Sequence, residues 1–243
     1  MTRSCVVTGG AGGIGNAIAQ ELRTAGWHVV TVDIAGSPHV EGHVVGDVAD
    51  PSTHQRAAQA AEALAPLGGW VNCAGYNILG AVTEVTEAEL RHGTDVNLLG
   101  VFHGTAEACR RLVEADRPGA IVNISSIQAA VGFPGFAAYA MTKGGIEALS
   151  RQVAAEYIAR GIRCNVVAPG LIHSEMNDRL LAASAHPETL SAQWAQLTPM
   201  GRWGQPKDVA AAVSFLLGPT SSYITGEVLA VNGGALTIAR GHG

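Results

Sequence analysis

Ser126, Tyr139 and Lys143 have the types and spacing to do chemistry, the serine preceding the tyrosine by thirteen positions and the lysine following it by four. The stretch AAYAMTKGGIEALSRQVAAEYIARG reads as a helix that begins just before Tyr139. Tyr139 and Lys143 then form an i,i+4 pair on one face. A free phenol titrates near 10, and bringing it to about 7 takes roughly 4 kcal/mol. A unit positive charge about 4 Å away supplies that much at an effective dielectric of about 20. Lys143 is therefore sufficient to make Tyr139 a general acid and base. The only lysines are Lys143 and Lys207, so the pair does not arise from a lysine-rich helix. A plain exposed pair on a helix surface is the alternative.

Such a pair needs elements that hold it against a reaction partner. Ser4 to Thr8 reads as a short buried strand, followed by GGAGGIG and an amphipathic helix, NAIAQELRTAG, closed by Gly26. Backbone in a loop of this composition can approach a pyrophosphate closely, and the helix start offers unpaired N–H groups. Two registers fit: Gly10, Gly12 and Gly15 match G-x-G-x-x-G, while Gly9, Gly13 and Gly15, with Ile14 between the last two, match G-x-x-x-G-x-G. The next strand, His28 to Asp33, ends in an acid where a dinucleotide fold holds the adenosine ribose. Asp33 can accept from both ribose hydroxyls and would repel a 2′-phosphate. No lysine or arginine lies between Arg23 and Arg56 to offset that repulsion, so NAD(H) is favoured over NADP(H).

Further strands follow at βαβ spacing. His43 to Gly46 leads to Asp47, which with Val48 either holds the adenine edge or caps the helix of DVADPST. A helix over Ser52 to Leu64 precedes a strand at Gly69 to Cys73 and a turn, Asn72 to Gly75 with Ala74 inside it, suited to lying against a cofactor. The strand Ala120 to Ser125 delivers Ser126, and Ile162 to Ala168 ends in Pro169 and Gly170, beside the nicotinamide. A long helix, Asp95 to Ala115, carries Asn97, which by itself reads first as a cap or turn residue. An irregular helical region over 171–198, a helix at GRWGQPKDVA and a last strand, Thr225 to Val231, complete the chain. The candidate sites sort to the carboxyl ends of strands, the binding edge of an open parallel α/β sheet. The expected fold is a Rossmann-type doubly wound parallel sheet of about seven strands flanked by helices, with residues 1–243 a single domain.

The totals restrict the function. A chain of 243 residues with 47% hydrophobic content can build one large core, and no linker, repeat or charge block divides it. A net charge of −5 without a basic cluster argues against nucleic acid or an anionic membrane as partner. The 14% charged content is low, as expected where surface is also buried between subunits. The uncharged stretch Pro118 to Thr142 holds Asn123, Ser125, Ser126 and Gln128 among prolines and glycines, a poor membrane span. The N-terminal apolar run is too short for a secretory signal. Cys5, Cys73, Cys109 and Cys164 are scattered, so the expectation is buried thiols, a cytoplasmic protein and no metal site.

Taken in order, TGGAGGIG, NCAG, DVNLLG, IVNISS, YAMTK and VAPGLIHS make the chain resemble a short-chain dehydrogenase/reductase over essentially its whole length. The resemblance implies a catalytic tetrad of Asn97, Ser126, Tyr139 and Lys143. Tyr139 would exchange a proton with the substrate oxygen, and Ser126 would hydrogen-bond that oxygen. Lys143 would hold the nicotinamide ribose and lower the tyrosine pKa, and Asn97 would position a water that links the lysine to bulk. Hydride would pass between substrate carbon and nicotinamide. Ile172 joins Pro169 and Gly170 in the implied cofactor set, and a homodimer or homotetramer is implied through the helices that bear Asn97 and Tyr139. Cys73, where asparagine is common, and Ser174, where threonine is usual, depart from the family pattern.

Gln128, Phe133, Phe136, Tyr76, His173, Met176 and Trp194 are candidates to line a substrate pocket, with 171–200 as a lid. That composition points to a neutral, partly apolar or cyclic secondary alcohol or ketone. A 3-oxoacyl carrier-protein reductase is the alternative inside the family, although Gly12 stands where arginine is common there. A catalytically silent NAD-sensing protein on the same fold is the alternative outside it.

Overall fold

The strands are apolar at successive positions, the pattern of a sheet covered by helices on both faces. The computed structural model describes residues 2–36, 42–196 and 198–237, the side chains of residues 175 and 176 apart. The elements in order are β1 (Ser4–Thr8), α1 (Gly13–Thr24), β2 (His28–Asp33), β3 (Gly42–Val45), α2 (Pro51–Leu64), β4 (Leu67–Asn72), α3 (Glu87–Thr94) and α4 (Gly100–Glu114). There follow β5 (Gly119–Ile124), α5 (Ala137–Tyr157), β6 (Ile162–Pro169), α6 (Glu175–Ala182), α7 (Pro187–Gln196), α8 (Pro206–Leu217) and β7 (Val228–Val231).

Alternation along the strands divides the core in two. Val7, Val29, Val71, Val122 and Val167 face Ile18 and Leu22 of α1 and Val213 and Leu216 of α8. Their chain neighbours Val6, Val30, Trp70 and Ile121 point the other way, into Ala57 and Ala61 of α2, Leu112 of α4 and Val153 of α5. All seven strands are parallel, in the order β3-β2-β1-β4-β5-β6-β7. The strand order reverses between β1 and β4, so a crevice opens there at the carboxyl ends. Among the described residues no helix is long and apolar enough to cross a membrane.

Two elements differ from the sequence reading. The helix expected over Asp95 to Ala115 is instead α3, a π-helical segment at Asp95–Leu99, and α4 in unbroken succession. The extra residue in the π turns re-aims the side chains there, Asn97 among them. The last strand pairs only from Val228, because Thr225 uses its hydroxyl to accept the Cys164 N–H at 3.1 Å and Gly226 turns the chain at φ 77°. Of the pocket candidates, the side chain of Met176 lies outside the described residues.

Candidate active site

The glycine loop is packed against two other strand ends. Gly9 and Gly10 both donate N–H to the Val32 carbonyl, at 2.8 and 3.2 Å. Gly9 has φ 71°, a conformation suited to glycine. A Cβ on Gly15 would lie 2.1 Å from the Gly9 carbonyl oxygen, whereas one on Gly12 would meet nothing within 4 Å. The loop is thus closed on its inner side and open on its outer side, the form of a cradle that backbone N–H groups line. Asp33 ties β2 to this loop: one carboxylate oxygen accepts from Ala11 N–H at 3.0 Å and the other from Ala35 N–H at 3.2 Å. Each oxygen keeps acceptor capacity beyond these bonds. Arg56, the first basic residue after Arg23, is turned onto the Val45 carbonyl and the Thr53 hydroxyl. These residues fit a dinucleotide whose adenosine ribose lies near Asp33.

The next strand ends supply backbone. Thr8 accepts the N–H groups of Cys73 and Ala74 at 3.0 and 3.1 Å, which orients the 72–75 turn. Gly75 lies between the Asn97 amide oxygen and the Lys143 ammonium, 3.0 and 3.7 Å from where its Cβ would be. The side chain of Asn72 is committed elsewhere: it accepts from the Trp70 indole N–H and donates to Thr105 and Asn123, all in the interior. It leaves its main chain to the crevice. Asp47 accepts from Ala49 N–H at 2.9 Å, and Asp50 is the side chain that caps α2, so the choice left open for Asp47 falls away from the cap. Val48 is buried against Gly100, and its carbonyl accepts from His54. Pro169 and Gly170 sit against Val231 and Asn232, and buried Ile172 bridges to Gly204. Ile14 packs partly buried on the core beneath α1.

The four candidate catalytic residues come from three elements. Asn97 is fully buried in the π segment, and its side chain clasps the Tyr76 backbone, accepting from N–H at 3.0 Å and donating to the carbonyl at 2.8 Å. Its amide thereby holds the 72–76 turn. Ser126 caps a one-turn 3-10 helix, Ile127–Ala129, after β5. Lys143 is 5% exposed, its Nζ donates to the Ile124 carbonyl at 3.0 Å, and it lies 5.4 Å from the centroid of the Tyr139 ring.

Desolvation dominates the titration of the pair. Burial pushes the Tyr139 phenol up to about 12, with the Ser126 hydroxyl pulling it back. Burial also brings Lys143 down to about 8, opposed by the nearby Cys73 thiol. The depression of Tyr139 by Lys143 expected from the i,i+4 spacing is not among the effects acting on the phenol, which burial dominates.

Among the pocket candidates, Phe136 packs edge-on to Tyr139 at 6.3 Å, and Gln128 sits in the turn that Ser126 begins. Phe133 is half-buried in the same 127–136 connection. Tyr76 stacks at a tilt on His92. His173 and Trp194 are brought together through a third ring that the sequence reading passed over. Trp203 stacks on His173 at 4.7 Å and meets Trp194 at 5.7 Å. Its segment, GRWGQP, reads as a helix start, which hides a contact thirty residues away. Thr8 was also missed, although its place at the carboxyl end of β1 follows the same rule as every other site.

Comparison with known proteins agrees with this geometry. A family model described as Enoyl-(Acyl carrier protein) reductase matches residues 9–236. Galactitol 2-dehydrogenase (L-tagatose-forming) of Cereibacter sphaeroides is 38% identical, with 94% of this chain and 92% of that protein covered. The 3-oxoacyl-(acyl-carrier-protein) reductase FabG of Staphylococcus aureus is 36% identical over 96% of this chain and 98% of that one. The solved ligand-free aldohexose dehydrogenase of Thermoplasma acidophilum superposes with a TM-score of 0.89 at 28% identity, covering 99% of this chain and 98% of its own. With seven parallel strands, a glycine cradle at their carboxyl ends and relatives of these activities, the chain belongs to the short-chain dehydrogenase/reductase family and is an oxidoreductase.

Proposed function

We propose that this protein is an NAD(H)-dependent dehydrogenase or reductase that acts on a secondary alcohol or ketone, with Tyr139 as the proton-transferring group. The observation that carries the reading is the joint placement of Ser126, Tyr139 and Lys143 beside the cradle that Asp33 closes. Gly9, Gly13, Ile14 and Gly15 would hold the pyrophosphate end, Asp33 the adenosine ribose, and Asp47 and Val48 the adenine edge. Ala74, Gly75, Pro169, Gly170 and Ile172 would line the nicotinamide end with backbone and apolar contact. When bound, the nicotinamide supplies hydride donor or acceptor capacity.

The chain's own residues handle the proton. Ser126 would hydrogen-bond the reacting oxygen, and Tyr139 would give or take its proton. Lys143 would present a positive charge to the phenolate as it forms, and Asn97 would hold the 72–76 turn in place. Asp33, with no lysine or arginine between Arg23 and Arg56 in the sequence, supports NAD(H), since a 2′-phosphate there would meet the carboxylate. The name of the galactitol relative supports a polar secondary alcohol, and that of the acyl-carrier-protein reductase sets the competing substrate. The α6–α7 region would serve as a substrate lid. A cytoplasmic homodimer or homotetramer completes the reading.

The test follows nicotinamide absorbance with NAD and NADP in parallel against secondary alcohols, polyols, hydroxysteroids and acyl-carrier thioesters. Turnover of alcohols with NAD is expected. Turnover confined to carrier thioesters with NADP would overturn both the cofactor and the substrate class.

A further inference from the structure

His54 is the one ring in the buried stripe of α2, which Ala57, Ala58 and Ala61 continue with single methyl groups. Its Nε2 lies 2.8 Å from the Val48 carbonyl, which can only accept, so that nitrogen carries the proton. Burial pushes the titration of His54 down, which leaves the ring uncharged at neutral pH. Trp70 and His103 flank it, with ring centroids 6.0 and 6.4 Å away. Gly104 of α4 gives it room, since a Cβ there would stand 3.1 Å from Nδ1. The ring is thereby held in place, and it draws the Val48 carbonyl inward. That carbonyl shares a peptide unit with the Ala49 N–H. In a trans peptide the two groups point opposite ways, so a carbonyl held in the interior turns the N–H outward. There Ala49 N–H donates to Asp47 Oδ1 at 2.9 Å. One peptide thus connects a buried imidazole to an exposed carboxylate, whose other oxygen keeps its capacity to accept.

We infer that His54 is a positioning residue for the adenine end of the nucleotide site: through the 48–49 peptide it aims the Asp47 carboxylate at the adenine amino group. The inference rests on the adenine-edge role proposed above for Asp47 and Val48, and adds the residue that makes that edge selective. A carboxylate held at this angle accepts from an exocyclic amine. It meets a second acceptor where a purine bears a carbonyl instead, and that pairing is unfavourable. Were His54 only a partner for a buried carbonyl, its loss would lower stability and weaken every nucleotide alike. Loss of the aim instead erodes the preference between two nucleotides that differ at that one group.

Fluorescence titration with NADH and with reduced nicotinamide hypoxanthine dinucleotide, which carries a carbonyl in place of the amino group, tests this without any substrate. The readout is the ratio of the two Kd values in the wild type, His54→Gln, His54→Met and Asp47→Ala, with Tm recorded for each. The wild type is expected to prefer NADH by about tenfold or more. His54→Met, which loses the donor, should bring the ratio to within about threefold of one. His54→Gln, which keeps an N–H at similar reach, should retain most of the preference. Adding His54→Met to Asp47→Ala should change the ratio no further, because both act on one carboxylate. His54→Leu serves as a second donorless variant if methionine packs badly. A ratio that His54→Met and His54→Leu leave unmoved, whatever their Tm, would overturn the role of His54 while the adenine-edge reading stands. A wild-type ratio near one would overturn both, and the hydride-transfer reading would survive on the binding of NADH. Binding of neither nucleotide would overturn that reading and this inference together.

Discussion

Lys143 is a buried ammonium retained at a cost to the fold. A fall from an ordinary 10.5 to about 8 corresponds to roughly 3 kcal/mol between its protonation states. Between pH 8 and 10.5 the unfolded chain binds more protons at this site than the folded one, so stability rises with pH across that window. Below pH 8 the burial cost is present in full. Lys143→Met should therefore raise Tm by a few degrees at pH 6 to 7, the gain shrinking toward pH 10, while turnover falls. Thermal melts followed by circular dichroism at several pH values would show it, and a Tm lowered equally at all of them would contradict it. Tyr139 differs: it is the proposed proton donor, not a source of strain. Tyr139→Phe should reduce kcat by about a hundred- to ten-thousandfold and leave the nucleotide Kd within about twofold, as read by fluorescence titration. Full activity in that variant would end the proposed mechanism.

At the scale of elements, the glycine loop and the π segment do the positioning, and they were not equally legible. The loop was readable because Gly9 and Gly15 follow an apolar strand directly, and only glycine fits where a Cβ would meet the Gly9 carbonyl. Gly15→Ala should overpack that contact by about 1 to 3 kcal/mol and lower Tm by several degrees. Gly12→Ala, with open space around it, should stay within about one degree; equal melts for the two would show that the loop opens freely. The strands could be read for a similar local reason, since residues such as Val6 and Val7 are buried on opposite faces and need no partner to be recognised. The π segment could not, because TDVNLLGVF reads as ordinary helix and nothing local announces an extra residue in the turn. The burial of Lys143 is not legible locally either, since only β5, passing its carbonyl at Ile124 beneath α5, supplies it. Trp203 was hidden for the same reason, its partners His173 and Trp194 lying on separate loops and helices.

Across the whole molecule, exposed apolar side chains are spread widely, Ile34, Val82 and Met200 among them, and two groups of them lie on elements that touch one another. Leu99 at the end of the π segment, Phe102 of α4 and Met141 of α5 are 41, 49 and 51% exposed on neighbouring helices. Phe215 of α8, Leu229 of β7 and Tyr223 between them form the other group. A monomer has no use for either patch, and a twofold contact through one would leave the other exposed. Two independent twofold contacts would close on four subunits, an assembly in keeping with a charged content of only 14%. Light scattering after gel filtration should therefore give about four copies of the 24.9 kDa chain at micromolar concentration. Phe102→Glu and Tyr223→Glu, each setting a charge in one patch, should each give dimers, and together monomers, with the secondary structure unchanged. A monomeric wild type would contradict the assembly. A single variant that dissociated the tetramer fully would show one interface rather than two, and the second apolar face would then need another occupant.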